Sequence, residues 1–211
     1  MSILWIIRLI FVGMLLSGVI SNGIFLKDRE KYAKYMENLV FNLIGVIMYN
    51  LFAYVAILLP ADPNVIPNTF FTSNQFLRTW YVVLGAAAVV IGVAFFIIAV
   101  RMRKTVGVQD TGGKLFTSGI YGFCRHPIYV GISLICLALA LLFENLDGLL
   151  VVPMIFLINL LEGKIEEKYD VGVRFKDEYP NYKLQTRAFG PIWFWIALII
   201  ATVLPILIEL A

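Results

Sequence analysis

Residues 127–161 read PIYVGISLICLALALLF-ENLD-GLLVVPMIFLINLL. Two apolar runs, Pro127–Phe143 and Gly148–Leu161, are separated by only four residues, Glu144-Asn145-Leu146-Asp147. Neither run has a charge, and so short a connection predicts a tight helical hairpin. The second run is too short to cross a bilayer, which takes about 20 apolar residues. Its natural extension takes Glu162 and Lys164 into the helix end.

The flanking sequence supports a membrane setting. Leu39–Leu59, Trp80–Val100 and Ala188–Ile208 are each 21 residues long without a charge, and Ile3–Leu26 has only Arg8. With the hairpin this makes six segments. Across the 211 residues the hydrophobic fraction is 61%, the charged fraction 15% and the mean hydropathy +0.87. Soluble domains are about 45–50% apolar and about 25% charged, so a soluble globular protein is excluded. The first segment lacks a basic leader and a small-residue cleavage site, and it is expected to stay as an anchor.

The charges are segregated. Loop 27–38 holds Lys27, Arg29, Lys31 and Lys34. Loop 101–126 holds Arg101, Arg103, Lys104, Lys114 and Arg125. Stretch 164–187 holds Lys164, Lys168, Arg174, Lys176, Lys183 and Arg187. These are 15 of the 17 basic residues, and all fall on one side of a six-span arrangement. The positive-inside rule puts that side in the cytoplasm and both termini outside. Residues 164–182, with Val171, Phe175 and Tyr182 at roughly helical spacing, predict one amphipathic helix at the membrane surface. The expected organisation is one all-α membrane domain over 1–211. It has three N-terminal spans in 1–100, a catalytic and cofactor-binding region in 101–187, and a last span in 188–211.

Rare residues narrow the chemistry. The single histidine, His126, and two cysteines, Cys124 and Cys136, cannot build a histidine-rich or four-cysteine metal centre. No metal and no nucleic acid is expected as a partner. There is no dinucleotide-binding GxGxxG, and Gly107 to Lys114 misses the phosphate-loop spacing and its Ser/Thr. His126, Tyr129, Ser133 and Cys136 follow at i, i+3, i+7 and i+10, so they share a helix face, with Pro127 suited to the first turn. Asn159, Glu162 and Glu166 share a face of the next helix. A tight hairpin brings the two faces together at the cytoplasmic edge. Ionisable groups at a membrane segment are functional candidates, although interfacial lipid contact for Arg125 and His126, and solvation for Glu166 and Glu167, account for each cluster taken singly.

At these residues the chain resembles the integral-membrane methyltransferases of the isoprenylcysteine carboxyl methyltransferase and phospholipid methyltransferase group. Leu115, Thr117, Gly119, Tyr121, Arg125, His126, Pro127, Tyr129 and Gly131 match their signature, L-x-T-x-G-x-Y-x-x-x-R-H-P-x-Y-x-G. A Glu166-Glu167 pair follows, and then Phe175, Tyr179 and Tyr182. Lys176 stands where the group has glycine, the gap before Phe175 is about one residue longer, and Glu162 takes a place where some members carry a basic residue.

The resemblance implies S-adenosylmethionine as cofactor, with S-adenosylhomocysteine as product. It implies Tyr121, His126, Pro127, Ile128 and Tyr129 as cofactor-lining residues, with Lys114, Leu115 and Phe116 in contact. Glu166 and Glu167 are expected to hold the cofactor from the other side. Arg125 and Glu167 are the expected catalytic pair, and Asn159 and Glu162 the expected acceptor contacts. The implied acceptor is lipophilic: a prenylcysteine-type carboxylate, a phospholipid amine or a thiol. The alternatives are an NADPH-dependent membrane reductase of the sterol reductase type and a non-enzymatic transporter or scaffold. A transporter is disfavoured because the charges gather at one edge.

Overall fold

The computed structural model describes residues 2–28, 39–60, 74–103 and 114–210, without the side chains of 39–43, 103, 206 and 208–210. Of the expected basic loop residues, Arg29, Lys31, Lys34 and Lys104 lie outside the described residues, as do Gly107 and Gly113. Helix α1 spans Ile3–Lys27, α2 Leu39–Leu58, α3 Gln75–Arg103, α4 Ile120–Phe123, α5 Pro127–Leu142, α6 Leu146–Glu166, α7 Tyr179–Gln185 and α8 Ile192–Leu210. By length and composition α1, α3 and α6 with its extension are apolar enough to cross a membrane. Ile44–Leu58, Pro127–Leu142 and Ile192–Pro205 are shorter apolar helices. The chain is an all-α membrane protein.

The hairpin forms as its sequence predicts. Helix α5 starts at Pro127, whose missing N–H is harmless in a first turn. It ends at Leu142. Asn145 then caps α6, its side-chain oxygen accepting from the Gly148 N–H at 2.9 Å. Helix α3 lies against α5 where Gly92 and Gly131 meet: a Cβ on Gly131 would sit 2.7 Å from the Gly92 carbonyl oxygen. Only glycine permits that approach, and it suits membrane helices that associate through small residues. On the other side α1 and α2 pack on the hairpin, with Leu15, Val19, Ala53, Ile57, Ile132 and Ile155 in one buried cluster.

Arg8, the lone charge of the first segment, is fully buried. Its Nη2 donates to the carbonyls of Leu59 (2.6 Å) and Pro60 (3.0 Å) and to Asn145 Oδ1 (3.3 Å), and lies 3.8 Å from Asp147 Oδ2. It ties α1 to the end of α2 and to the hairpin turn.

Two boundaries depart from expectation. The predicted amphipathic helix over 164–182 is not one helix. Helix α6 passes into a π-helical turn, Glu167–Val171, and a last turn at Gly172–Arg174, and the chain bends before α7. A Cβ on Gly172 would stand 2.4 Å from the Glu167 carbonyl oxygen, so glycine admits the turn, and Pro180 begins a new helix. The apolar side of this stretch does not form a free membrane-facing stripe. Phe175, Tyr179 and Tyr182 are buried together against Leu115 and Val171. The last apolar segment is helical only from Ile192. Ala188 is drawn to the site, and Gly190, at φ +79°, makes the turn between them.

Candidate active site

The signature segment is held like a strand. Gly119, at φ +60°, opens α4. The backbone N–H groups of Arg125 and His126 then donate to the carbonyls of Arg187 (3.1 Å) and Ala188 (3.0 Å). This anchoring brings the first turn of α5 against the end of α6.

The hairpin then carries three rungs. At the top, Glu167 Oε1 accepts from Arg125 Nε (2.9 Å) and pairs with His126 Nε2 (2.9 Å), while its Oε2 lies 3.2 Å from Lys183 Nζ. Next, the Tyr129 hydroxyl donates to Glu166 Oε1 (2.8 Å), whose other oxygen is 3.5 Å from His126 Nδ1. Lowest, Asn159 Nδ2 donates to Ser133 Oγ (2.9 Å), which donates to the Tyr129 carbonyl (2.8 Å). The two helix faces read from residue spacing therefore meet side to side. A Cβ on Gly163 would be 3.0 Å from the His126 ring, so the imidazole seats in a gap that only glycine leaves.

His126 is buried. Burial favours its neutral form, but hydrogen bonds and charge from Glu166 and Glu167 outweigh this and raise its pKa above the usual 6.5. A group whose pKa is raised by folding stabilises the fold fully below its unfolded pKa and loses that contribution as pH rises through the folded value. The wild type is therefore expected to exceed a His126→Gln variant in thermal stability most below the usual histidine value of about 6.5, with the difference shrinking as pH rises above it. Unfolding curves across that range check it; a difference that grows with pH overturns the assignment. Burial pushes the Cys124 thiol up to about 12, so it is no nucleophile at neutral pH.

A cavity of about 490 Å³ opens beside these rungs, within the 300–1,000 Å³ typical of ligand pockets. Lys114, Leu115, Phe116, Tyr121, Arg125, His126, Pro127, Ile128, Tyr129, Glu162, Glu166 and Glu167 all line it. Asn159 does not. It is fully buried, hydrogen-bonded to Ser133 and accepting from the Tyr49 hydroxyl.

The sequence reading missed the opposite wall. Asn22 of α1 donates to Glu162 Oε1, and Tyr49 and Asn50 of α2 line the cavity, as do Arg174, Tyr179 and Tyr182. Their signal was present as polar residues inside otherwise apolar segments, Ser21-Asn22 and Tyr49-Asn50. The Tyr182 hydroxyl donates to the Tyr121 carbonyl at 2.6 Å, closing α7 over the signature segment. The far part of the cavity is apolar, with Met14, Leu15, Val19 and Phe52.

The all-α membrane fold thus places a buried cluster of cations and carboxylates at one end of a largely apolar cavity. Residues 69–171, just under half of the chain, match the family model for phospholipid methyltransferase, a match consistent with a membrane methyltransferase. The match takes in α3 to the π-helical turn and stops before Phe175. No curated protein and no solved structure matches the chain.

Proposed function

We propose that this protein transfers a methyl group from S-adenosylmethionine to a lipophilic acceptor held in the membrane. The observation that carries this reading is the two-ended cavity. One end holds Arg125, His126, Glu166 and Glu167; the other is walled by Met14, Leu15, Val19 and Phe52. The residues fit a cofactor that is cationic, anionic and aromatic in different parts. Glu166 and Glu167 would hold its positive groups and Arg125 and His126 its carboxylate. Lys114, Leu115, Phe116, Tyr121, Pro127, Ile128 and Tyr129 would flank the remainder. When bound, the cofactor supplies a sulfonium-activated methyl group for in-line displacement.

The chain's own part is binding, orientation and exclusion of water. Such a displacement gains most from fixed alignment in a dry site. Tyr129 holds Glu166 in place, and Glu167 is fixed between Arg125, His126 and Lys183, so no carboxylate is free to swing. Glu162, with Asn22, borders the apolar end and is the group best placed to meet an acceptor. Asn159 supports that wall from beneath. The region 101–187 is the catalytic part in this reading, with α1 and α2 adding the acceptor wall, and 188–211 is the closing span. The cations Lys114, Arg125 and Lys183 at the polar end support, by the positive-inside rule, a cytoplasmic site with both termini outside.

The test is thermal unfolding of the detergent-solubilised protein with S-adenosylhomocysteine. Ligand at 100 times its Kd stabilises by about 2.7 kcal/mol. A rise in Tm that is absent in His126→Gln is expected. An intact sample with no shift at millimolar S-adenosylhomocysteine, and a shift with NADPH instead, would overturn the cofactor assignment.

A further inference from the structure

A second cleft backs onto the cytoplasmic end of the site, bordered by Arg125, Leu160, Lys164, Glu167, Lys168 and Lys183. Four cations face one carboxylate there. That carboxylate already pairs with Arg125 and Lys183. Among the described residues neither Lys164 nor Lys168 has a carboxylate partner, and both are exposed. Leu157, Leu161, Lys164 and Lys168 recur at i, i+4, i+7 and i+11, one face of α6 and its extension. Leu157 and Leu161 are exposed apolar residues. The face thus runs from an apolar, lipid-compatible stripe into a pair of lysines at the helix end.

We propose that this cleft binds the headgroup phosphate of an anionic membrane phospholipid, distinct from the acceptor. The acyl chains run along Leu157 and Leu161, and Lys164, Lys168 and Lys183 hold the phosphate. A zwitterionic headgroup would bring its own cation against these lysines, whereas an anionic one offsets them. Lys183 belongs to α7, whose Tyr179 and Tyr182 line the main cavity. A phosphate bridging Lys183 to Lys164 and Lys168 therefore holds α7 against α6 and closes the site. The inference rests on the cytoplasmic placement of this edge and not on the methyl-transfer reading.

The test measures lipid retention by native mass spectrometry and Tm in nanodiscs of phosphatidylcholine with and without phosphatidylglycerol. The wild type is expected to retain phosphatidylglycerol and unfold at higher temperature in its presence. The double variant Lys164→Gln/Lys168→Gln is expected to bind it roughly thirtyfold more weakly, about fivefold per lysine, while unfolding like the wild type in phosphatidylcholine. Lys176→Gln, the same change elsewhere on the exposed cytoplasmic stretch, is expected to leave retention intact. An equal loss in Lys176→Gln would mean diffuse attraction and overturn the site. Millimolar inorganic phosphate in detergent that reproduces the whole shift would overturn the lipid as its source. None of these readouts depends on methyl transfer, so a failed cleft and a failed enzyme assignment give different results.

Discussion

Replacing Glu167 with glutamine is expected to lower turnover by at least about 100-fold, because it removes a hydrogen-bonded charge fixed in a buried site. Glu167 is the only carboxylate within ion-pair reach of Arg125 among the described residues, and the same side chain pairs with His126 and Lys183. The amide keeps the shape and one acceptor oxygen but leaves three donors converging without a negative charge. Breaking a buried pair from one side costs about 3–5 kcal/mol, and part of that cost is expected as a lower Tm. Glu166→Gln is the comparison. Its partners are Tyr129 and, at 3.5 Å, His126, so its larger effect is expected on S-adenosylhomocysteine affinity. Steady-state rates of folded Glu167→Gln within about threefold of the wild type would remove Glu167 from the reaction.

The second large effect lies far from this site. Arg8→Leu is expected to destabilise the fold by about 3–5 kcal/mol. Arg8 and Asp147 are both fully buried, and the leucine takes the arginine away from Asp147 and the Arg8 donor from the Pro60 carbonyl, while the Leu59 carbonyl and Asn145 Oδ1 keep Asn145 Nδ2 and the Gly148 N–H. For a chain of this size that corresponds to a fall in Tm of about 10 °C. The double variant Arg8→Leu/Asp147→Leu is expected to recover much of the loss, since an apolar pair replaces a buried ion pair at little cost. A single-variant shift under about 2 °C would show that the pair contributes nothing.

The hairpin and its chemistry were legible in the residues alone. Apolar run length sets a span, a four-residue connection forces antiparallel neighbours, and helical spacing puts His126, Tyr129 and Ser133 on one face. These are local properties of the chain, and they suffice to bring Glu166 and Glu167 near His126. The break at Gly172 was not legible. The spacing of Val171, Phe175 and Tyr182 suits a continuous amphipathic helix equally well. Whether their apolar side meets lipid or protein depends on Leu115 and the cavity lying beside it. Asn159 was equally ambiguous, since its face was right but its partners, Ser133 and Tyr49, are contributed by two other helices and draw it out of the cavity wall.

Composition, run lengths and the signature residues were enough to establish a helical membrane protein with a polar cluster at one end of a hairpin. They rest on short-range constraints: the thickness of a bilayer, the period of a helix, the absent N–H of Pro127. The wall formed by Asn22, Tyr49 and Asn50, the threefold hold on Glu167 and the burial of Arg8 against Asn145 and Asp147 depend on which helices become neighbours. Those contacts join residues 16 to 140 positions apart, and no local periodicity encodes them. They arise when packing brings distant segments close enough for buried polar groups to satisfy one another.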